Sequence, residues 1–239
     1  MPWNELTFGK RTFFPDVRKL GDMKEVIYDQ QFLARANMDM ELYYMFRDVA
    51  KNAADAKLIE ERGLRYDITI IPPNTLGVEF VKTAGHYHPY LPGSNLTYPE
   101  LYEVQEGEAH YLLQRRSEER HVETITDVVL VEARRGDKVL IPPNYGHVTI
   151  NPSESTLKMA NWVARAFSSI YEPIKHKGGA AYFELTTGEF IKNERYDEVP
   201  AIRYATPAEL ELGTDGAMYE LLKHPEKLEV LIHPAGVFD

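Results

Sequence analysis

The chain has no cysteine. Disulfides, thiolate metal sites and Cys nucleophiles are therefore excluded. Any bound metal must be held by His, Asp, Glu or water, which suits Fe, Mn, Ni, Co or Zn. No apolar run approaches the roughly 20 residues of a membrane span. The opening stretch MPWNELTFGKRTFF has neither the apolar region nor the small-residue cleavage site of a signal peptide. A cytoplasmic protein with no membrane partner is the expectation. Dense Lys/Arg runs are also missing; Arg115-Arg116 and Arg134-Arg135 are isolated pairs, and the formal charge is −10. Nucleic acid is not an expected partner, because such binders carry a basic face.

What is present is a chain of 239 residues, enough for one large domain with a sizeable core. LTFGKRTFF suggests a short strand pair turning at Gly9. PDVRKLGDM reads as a short helix or an arm. Residues 27–36 read as a short helix with Asp29 as N-cap. MELYYMFRDV is helix or strand by pattern alone. NAADAKLIEERGL is a charged connection, either a helical turn or a hairpin loop.

From Arg65 the pattern turns to β. RYDITIIPP is rich in β-branched residues and stopped by Pro72-Pro73. Strands are expected at 78–88, on both sides of a Glu106-Gly107 hinge within 100–116, at 122–133, at 136–143 and at 147–164. A hairpin should turn at Thr187-Gly188. Thr206 and Glu209 have the spacing of a capping box. GAMYELLKH should form a helix ended by Pro225, and the last residues a strand or a packed tail. Many short strands with glycine turns predict an all-β fold, a jelly-roll barrel. The expected parts are an N-terminal arm with short flanking elements (1–60), the barrel (61–190) and a C-terminal extension (191–239), all in one structural domain.

Two stretches carry the chemistry. His86 and His88 are two apart, so on a strand both imidazoles leave the same face. Glu100 follows a loop containing Pro92, Gly93 and Pro99, and His147 follows Pro142-Pro143 at the start of a later strand. Three imidazoles and one carboxylate are a complete ligand set for one divalent metal. They leave one or two positions open on a five- or six-coordinate ion, as a catalytic site requires. A lone histidine in a β-rich segment is more often structural or exposed; the joint pattern is what favours metal here. His110, His121, His176, His224 and His233 lack such context, and exposure or local hydrogen bonding is expected for them, with His176 set apart by its nearness to Tyr171.

These stretches resemble the two cupin motifs. The first is matched by His86, His88, Glu100 and Gly107, with six residues between the last two. The second is matched by Gly136, Pro142, His147 and Asn151, with Asn144 where the motif has glycine. The loop from His88 to Glu100 has eleven residues, longer than the motif's three or four. Within the cupins the chain is similar to the cupin-type glucose-6-phosphate isomerases. The likeness lies in Thr83 to His88, in Glu100, Tyr102 and Gly107, and in Pro142 to Asn151. Thr69 also stands fourteen residues before Thr83, Tyr171 twenty after Asn151, and RKLGDM (18–23) resembles the family's arm.

That resemblance implies a cupin barrel and interconversion of glucose 6-phosphate and fructose 6-phosphate, a step of glycolysis and gluconeogenesis. It implies one divalent transition metal per subunit, iron or manganese among the candidates, held by His86, His88, Glu100 and His147. Glu100 would move the proton between C1 and C2, or a hydride would shift, with Tyr102 orienting the sugar or moving a hydroxyl proton. Phosphate would lie on hydroxyls and backbone N–H groups at Tyr43, Thr69, Thr83, Gly85 and Tyr171. A homodimer is implied by the family alone. Two competing readings use the same motifs: an Fe(II) dioxygenase, and a non-catalytic sugar- or metal-binding cupin.

Overall fold

The computed structural model describes residues 3–117, 124–207 and 216–238. In chain order the first elements are the hairpin β1 (Leu6–Phe8) and β2 (Arg11–Phe13), then β3 (Asp16–Lys19), a 3-10 segment Leu20–Val26, α1 (Gln30–Leu33), β4 (Glu41–Phe46) and α2 (Ala53–Glu61). The middle of the chain is β5 (Leu64–Ile71), β6 (Thr75–Leu76), β7 (Glu79–Phe80), β8 (Glu100–Glu106), β9 (Glu108–Arg116), β10 (Ile125–Arg134), β11 (Lys138–Ile141), β12 (Tyr145–Ile150) and β13 (Leu157–Ala164). There follow α3 (Glu172–His176), β14 (Tyr182–Glu184), β15 (Phe190–Lys192), β16 (Arg203–Ala205) and the 3-10 segments Met218–Lys223, Pro225–Lys227 and Glu229–Leu231.

Two sheets dominate. One has six strands in the order β11-β8-β13-β5-β4-β3; the other has four, β12-β9-β10-β16. Their facing sides share one core, with Tyr102, Val104 and Met159 from the larger sheet and Tyr111, Val129 and Val131 from the smaller. The chain passes between the sheets at Gly107, whose φ of +75° suits glycine. The expected Glu106-Gly107 hinge is therefore a sheet crossing.

The expectation of an all-β closed barrel is overturned. Among the described residues neither sheet closes on itself, and three α-helices and several 3-10 segments make the fold mixed α/β. The reason can be read along the strands. β5 turns Tyr66, Ile68 and Ile70 to the face opposite its polar residues Asp67 and Thr69, and β10 buries Val128 and Leu130 as well as Val129 and Val131. An apolar outer face needs cover of its own. On the larger sheet the outer cover is β1-β2, Ile59 of α2 and the segments after Met218. On the smaller sheet it is Ala180, Ala181, Tyr196 and their neighbours.

Local expectations divide. Asp29 caps α1, its Oδ1 accepting from the N–H groups of Gln31 and Phe32 at 3.0 and 2.9 Å. The 40–49 stretch is strand β4. NAADAKLIEERGL is a nine-residue helix, with Asn52 Oδ1 accepting from Asp55 N–H at 2.9 Å. The strand expected over 78–88 is broken: β7 holds two residues, and the rest pairs through isolated bridges at Lys82, His86 and Tyr87. The β14–β15 hairpin turns near Gly188 as expected. Met218–Lys223 is 3-10 and not α, and the terminal residues are a packed tail of 3-10 turns. His121 and the Glu209 half of the capping box lie outside the described residues. Among the described residues no helix is long and apolar enough to cross a membrane.

Candidate metal centre

Register places the site. On the inner face of the larger sheet Asn161 of β13 stands between Asp67 of β5 and Tyr102 of β8, and Val163 stands opposite Glu100. Glu100 and Tyr102 thus leave β8 on the pocket side. The histidines come from elsewhere. The His86 N–H donates to the His147 carbonyl at 3.1 Å, and the His147 N–H returns the bond to the His86 carbonyl at 3.0 Å. This two-way bridge sets the segment carrying His86 and His88 against β12. Gly85 makes the approach possible: its φ is +74°, and a Cβ there would lie 2.6 Å from Val148.

His86, His88, Glu100 and His147 each offer a ligand atom, and these atoms lie within 4.8 Å of one another. Metal–ligand bonds of about 2.0–2.2 Å put opposite ligands roughly 4.4 Å apart, so the donor set fits one ion. Glu100 Oε2 is 3.2 Å from His88 Nε2 and 3.7 Å from His147 Nε2. Buried His88 Nε2 and Glu100 Oε2 have no hydrogen-bond partner, and His147 Nδ1 is a third such atom. Buried polar atoms are almost always satisfied, so the facing unpaired His88 Nε2 and Glu100 Oε2, 3.2 Å apart, point to a cation.

Supporting contacts orient these ligands. His88 Nδ1 lies 2.6 Å from the Tyr98 carbonyl. A carbonyl only accepts, so Nδ1 carries the proton and Nε2 keeps its lone pair for the metal. Asn161 Nδ2 donates to Glu100 Oε1 at 2.6 Å. The Tyr102 hydroxyl lies 3.3 Å from His147 Nε2. Burial, with His147 and His88 alongside, pushes the His86 pKa far below the usual imidazole value. Burial likewise takes His147 down to about 4, against the pull of Glu100. Burial alone would raise the Glu100 carboxyl; the neighbouring His88 and His147 overcome it and hold the group low. Burial and the neighbouring Glu100 push the Tyr102 phenol well up. Neutral imidazoles and an ionised carboxylate are the state a metal requires.

The sequence-derived substrate residues converge. Tyr43, Thr69, Thr83, Gly85, Tyr102 and Tyr171 all line one pocket with His86, Glu100 and His147. Their present contacts are with the protein. The Tyr43 hydroxyl accepts from Ala84 N–H at 3.2 Å, and the Thr83 hydroxyl accepts from Thr149 N–H at 3.0 Å. Of the remaining histidines, His176, His224 and His233 are exposed. His110 is half-buried and pairs at 2.9 Å with Glu184, a residue distant in sequence.

Four polar pocket residues are absent from the sequence-based expectations: Arg47, Arg65, Asn161 and Ser169. Both arginines rest on buried Asp67, with Arg47 Nη1 at 3.1 Å from Oδ2 and Arg65 Nε at 3.0 and 2.9 Å from the two oxygens. Arg18 covers the rings of Tyr43 and Tyr171 at 5.9 and 5.5 Å. Period-two alternation held the signal, since Arg65, Asp67 and Thr69 share one strand face. Asn161, inside the apolar run MANWVA, gave none.

Against known proteins, the family model for glucose-6-phosphate isomerase matches residues 17–201. The chain belongs to the glucose-6-phosphate isomerase family. Within it, the protein of Thermococcus litoralis is 30% identical over 138 residues, 58% of this chain and 63% of that protein. The chain thus spans less than two thirds of that relative. The isomerase of Thermococcus gammatolerans is 26% identical over 163 residues, 68% of this chain and 76% of the relative. Among solved structures, oxalate decarboxylase from Bacillus subtilis overlays with a TM-score of 0.38 at 15% identity, covering 58% of this chain and 30% of that one. The family match covers the metal cluster, the helices α1, α2 and α3 and the two main sheets apart from β16 and the first residue of β3; the segments after 201 lie outside it.

Proposed function

We propose that this chain is a divalent-metal-dependent aldose–ketose isomerase interconverting glucose 6-phosphate and fructose 6-phosphate. The observation that carries the reading is a shared pocket: the hydroxyl and backbone groups matched to phosphate binding line the same cavity as the His₃Glu cluster. His86, His88, Glu100 and His147 would hold the metal, which would supply Lewis-acid polarisation at the reacting end of the sugar.

The chain's own groups do the rest. Glu100 is held ionised, with Oε2 free of hydrogen bonds and Oε1 fixed by Asn161. It takes the proton from C2 of the aldose and returns it to C1 to give the ketose; the reverse reaction exchanges the two carbons. Tyr102, whose phenol stays protonated, relays the hydroxyl proton from O2 to O1 by giving its proton to O1 and taking one from O2, so that it ends as it began. Thr69, Thr83, Gly85, Tyr43 and Tyr171 hold the phosphate end.

Charge supports the substrate class. Arg47 and Arg65 offset Asp67 and Glu100, and Arg18 beside Tyr43 and Tyr171 adds a further positive charge, so a pocket holding a divalent ion would be positive and suited to a phosphomonoester of about −2. This polar wall suits a phosphosugar better than the apolar substrate of a dioxygenase. The test is a coupled assay for glucose 6-phosphate formed from fructose 6-phosphate. Turnover should vanish after chelation and return on metal add-back. No turnover with any of Fe, Mn, Ni, Co or Zn would overturn the isomerase and leave a non-catalytic binder.

A further inference from the structure

The eleven-residue loop between His88 and Glu100 and the asparagine at position 144 are both departures from the cupin motifs. In the structure they meet. Thr97 N–H donates to Asn144 Oδ1 at 3.0 Å, and Asn144 N–H donates to Thr97 Oγ1 at 2.6 Å. Asn144 sits at φ +68° in the turn between β11 and β12. Asparagine tolerates that left-handed conformation better than most residues, and unlike glycine it brings a side chain to the turn.

The loop is otherwise closed on itself. Leu91 N–H donates to the Leu96 carbonyl, and Tyr98 N–H to the Pro89 carbonyl. Leu96 and Thr97 are buried while Pro92 to Asn95 are exposed. The residue after Thr97 is Tyr98, whose carbonyl takes the His88 Nδ1 proton at 2.6 Å. Phe167 then packs against both the His88 and the Tyr98 rings. The reciprocal Thr97–Asn144 bond therefore ties the segment that supplies His88 and Glu100 to the strand that supplies His147, three residues past Asn144.

We infer that the Thr97–Asn144 clamp is a positioning device for the metal: it holds the Tyr98 carbonyl on His88 Nδ1 and so sets the tautomer and direction of His88 Nε2. The inserted loop is thus a supporting wall of the metal centre, and Asn144 is the residue that fixes it there. This rests on the cluster binding metal and not on the isomerase reaction.

The test is equilibrium titration of metal-free, full-length protein with Co²⁺, read both as affinity and as the d–d absorption of the bound ion. Thr97→Val and Asn144→Gly, the latter keeping the left-handed turn, should each weaken binding by about 10–100-fold and alter the absorption bands. The double variant should lose at least as much as either single, because each single removes a different one of the two bonds. Thr97→Ser should restore wild-type affinity. If Thr97→Val fails to fold, Asn144→Gly and Thr97→Ser carry the comparison. Affinities and spectra of the single variants matching wild type, or a Thr97→Ser variant as weak as Thr97→Val, would overturn the clamp. A wild type that binds no Co²⁺ would instead overturn the metal reading itself.

Discussion

The two faces of the six-stranded sheet use the same strands for different ends. On β5, Arg65, Asp67 and Thr69 stand on the pocket side, while Tyr66, Ile68 and Ile70 between them face away. On β13, Asn161 supports Glu100, and its neighbour Trp162 is fully buried on the other side. The inner face holds unpaired lone pairs, arginines and hydroxyls. On the outer face Trp162 and Tyr219 lie 4.7 and 4.9 Å from the Tyr66 ring. The period of two lets one strand hold a reactive pocket open and seal it from behind.

The outer face also accounts for the C-terminal extension. Trp162 Nε1 donates to the Met218 carbonyl at 3.0 Å, and Met218 N–H donates to Glu103 Oε1 at 3.0 Å. The Tyr219 hydroxyl accepts from Lys51 N–H at 2.9 Å and donates to Asp55 Oδ2 at 2.8 Å. The segment closes the sheet against β1-β2 and α2. Its role is to hold the strands that carry Glu100, Tyr102 and Asn161.

If the faces are separable, variants on each should fail differently. The largest effect belongs to Glu100→Gln, which should retain much of the metal and lose about 10²–10⁴-fold in turnover; a retained rate in the coupled assay would remove Glu100 as the base. Next is Trp162→Ala on the outer face, expected to cost about 3–5 kcal/mol of stability. Urea unfolding measures it. The folded fraction should keep wild-type metal affinity, and a parallel loss of affinity would show that the faces are coupled.

A smaller change is expected from Arg47→Met. Hydrogen bonds to charged groups contribute about 1.5–3 kcal/mol, so KM for fructose 6-phosphate should rise by roughly 10–100-fold with little change for unphosphorylated fructose. An unchanged KM would confine phosphate to the threonine and tyrosine set. Smallest is the pH dependence set by His110, away from the pocket. Burial lowers its pKa, but the bond and charge of Glu184 outweigh this and raise it above the ordinary value. A raised folded pKa gives stability that is fully present below about pH 6.5 and lost as pH rises through the folded value. The stability gap between wild type and His110→Ala should narrow over that window; a gap that widens with pH would reverse the assignment.

Much of the site was legible in the sequence because ligand chemistry is local. His86 and His88 show their common direction by spacing, and Glu100 and His147 lie beside turn signals that mark strand ends. Thr69, Thr83, Gly85, Tyr43 and Tyr171 were legible only through the family's spacing. Arg47 and Arg65 were not, because their meaning depends on Asp67 being buried between them. The Thr97–Asn144 bond joins residues 47 apart in sequence, and neither side alone announces the other. The fold departs from the all-β expectation for a related reason. Strand periodicity predicts sheets, but closure depends on pairing between distant strands, and the apolar residues on the outer faces of β5 and β10 signalled covering layers.

The central claim is that the metal end and the phosphate end of one sugar share this pocket, with the reacting carbons on the His₃Glu side. With Mn²⁺ in the site, paramagnetic relaxation of bound fructose 6-phosphate measures that orientation directly. The expected result is strong relaxation of the C1 and C2 carbons and weaker relaxation of the phosphorus, after scaling for the nuclei. Phosphorus as close to the ion as C1 and C2, or no relaxation of any nucleus, would contradict it.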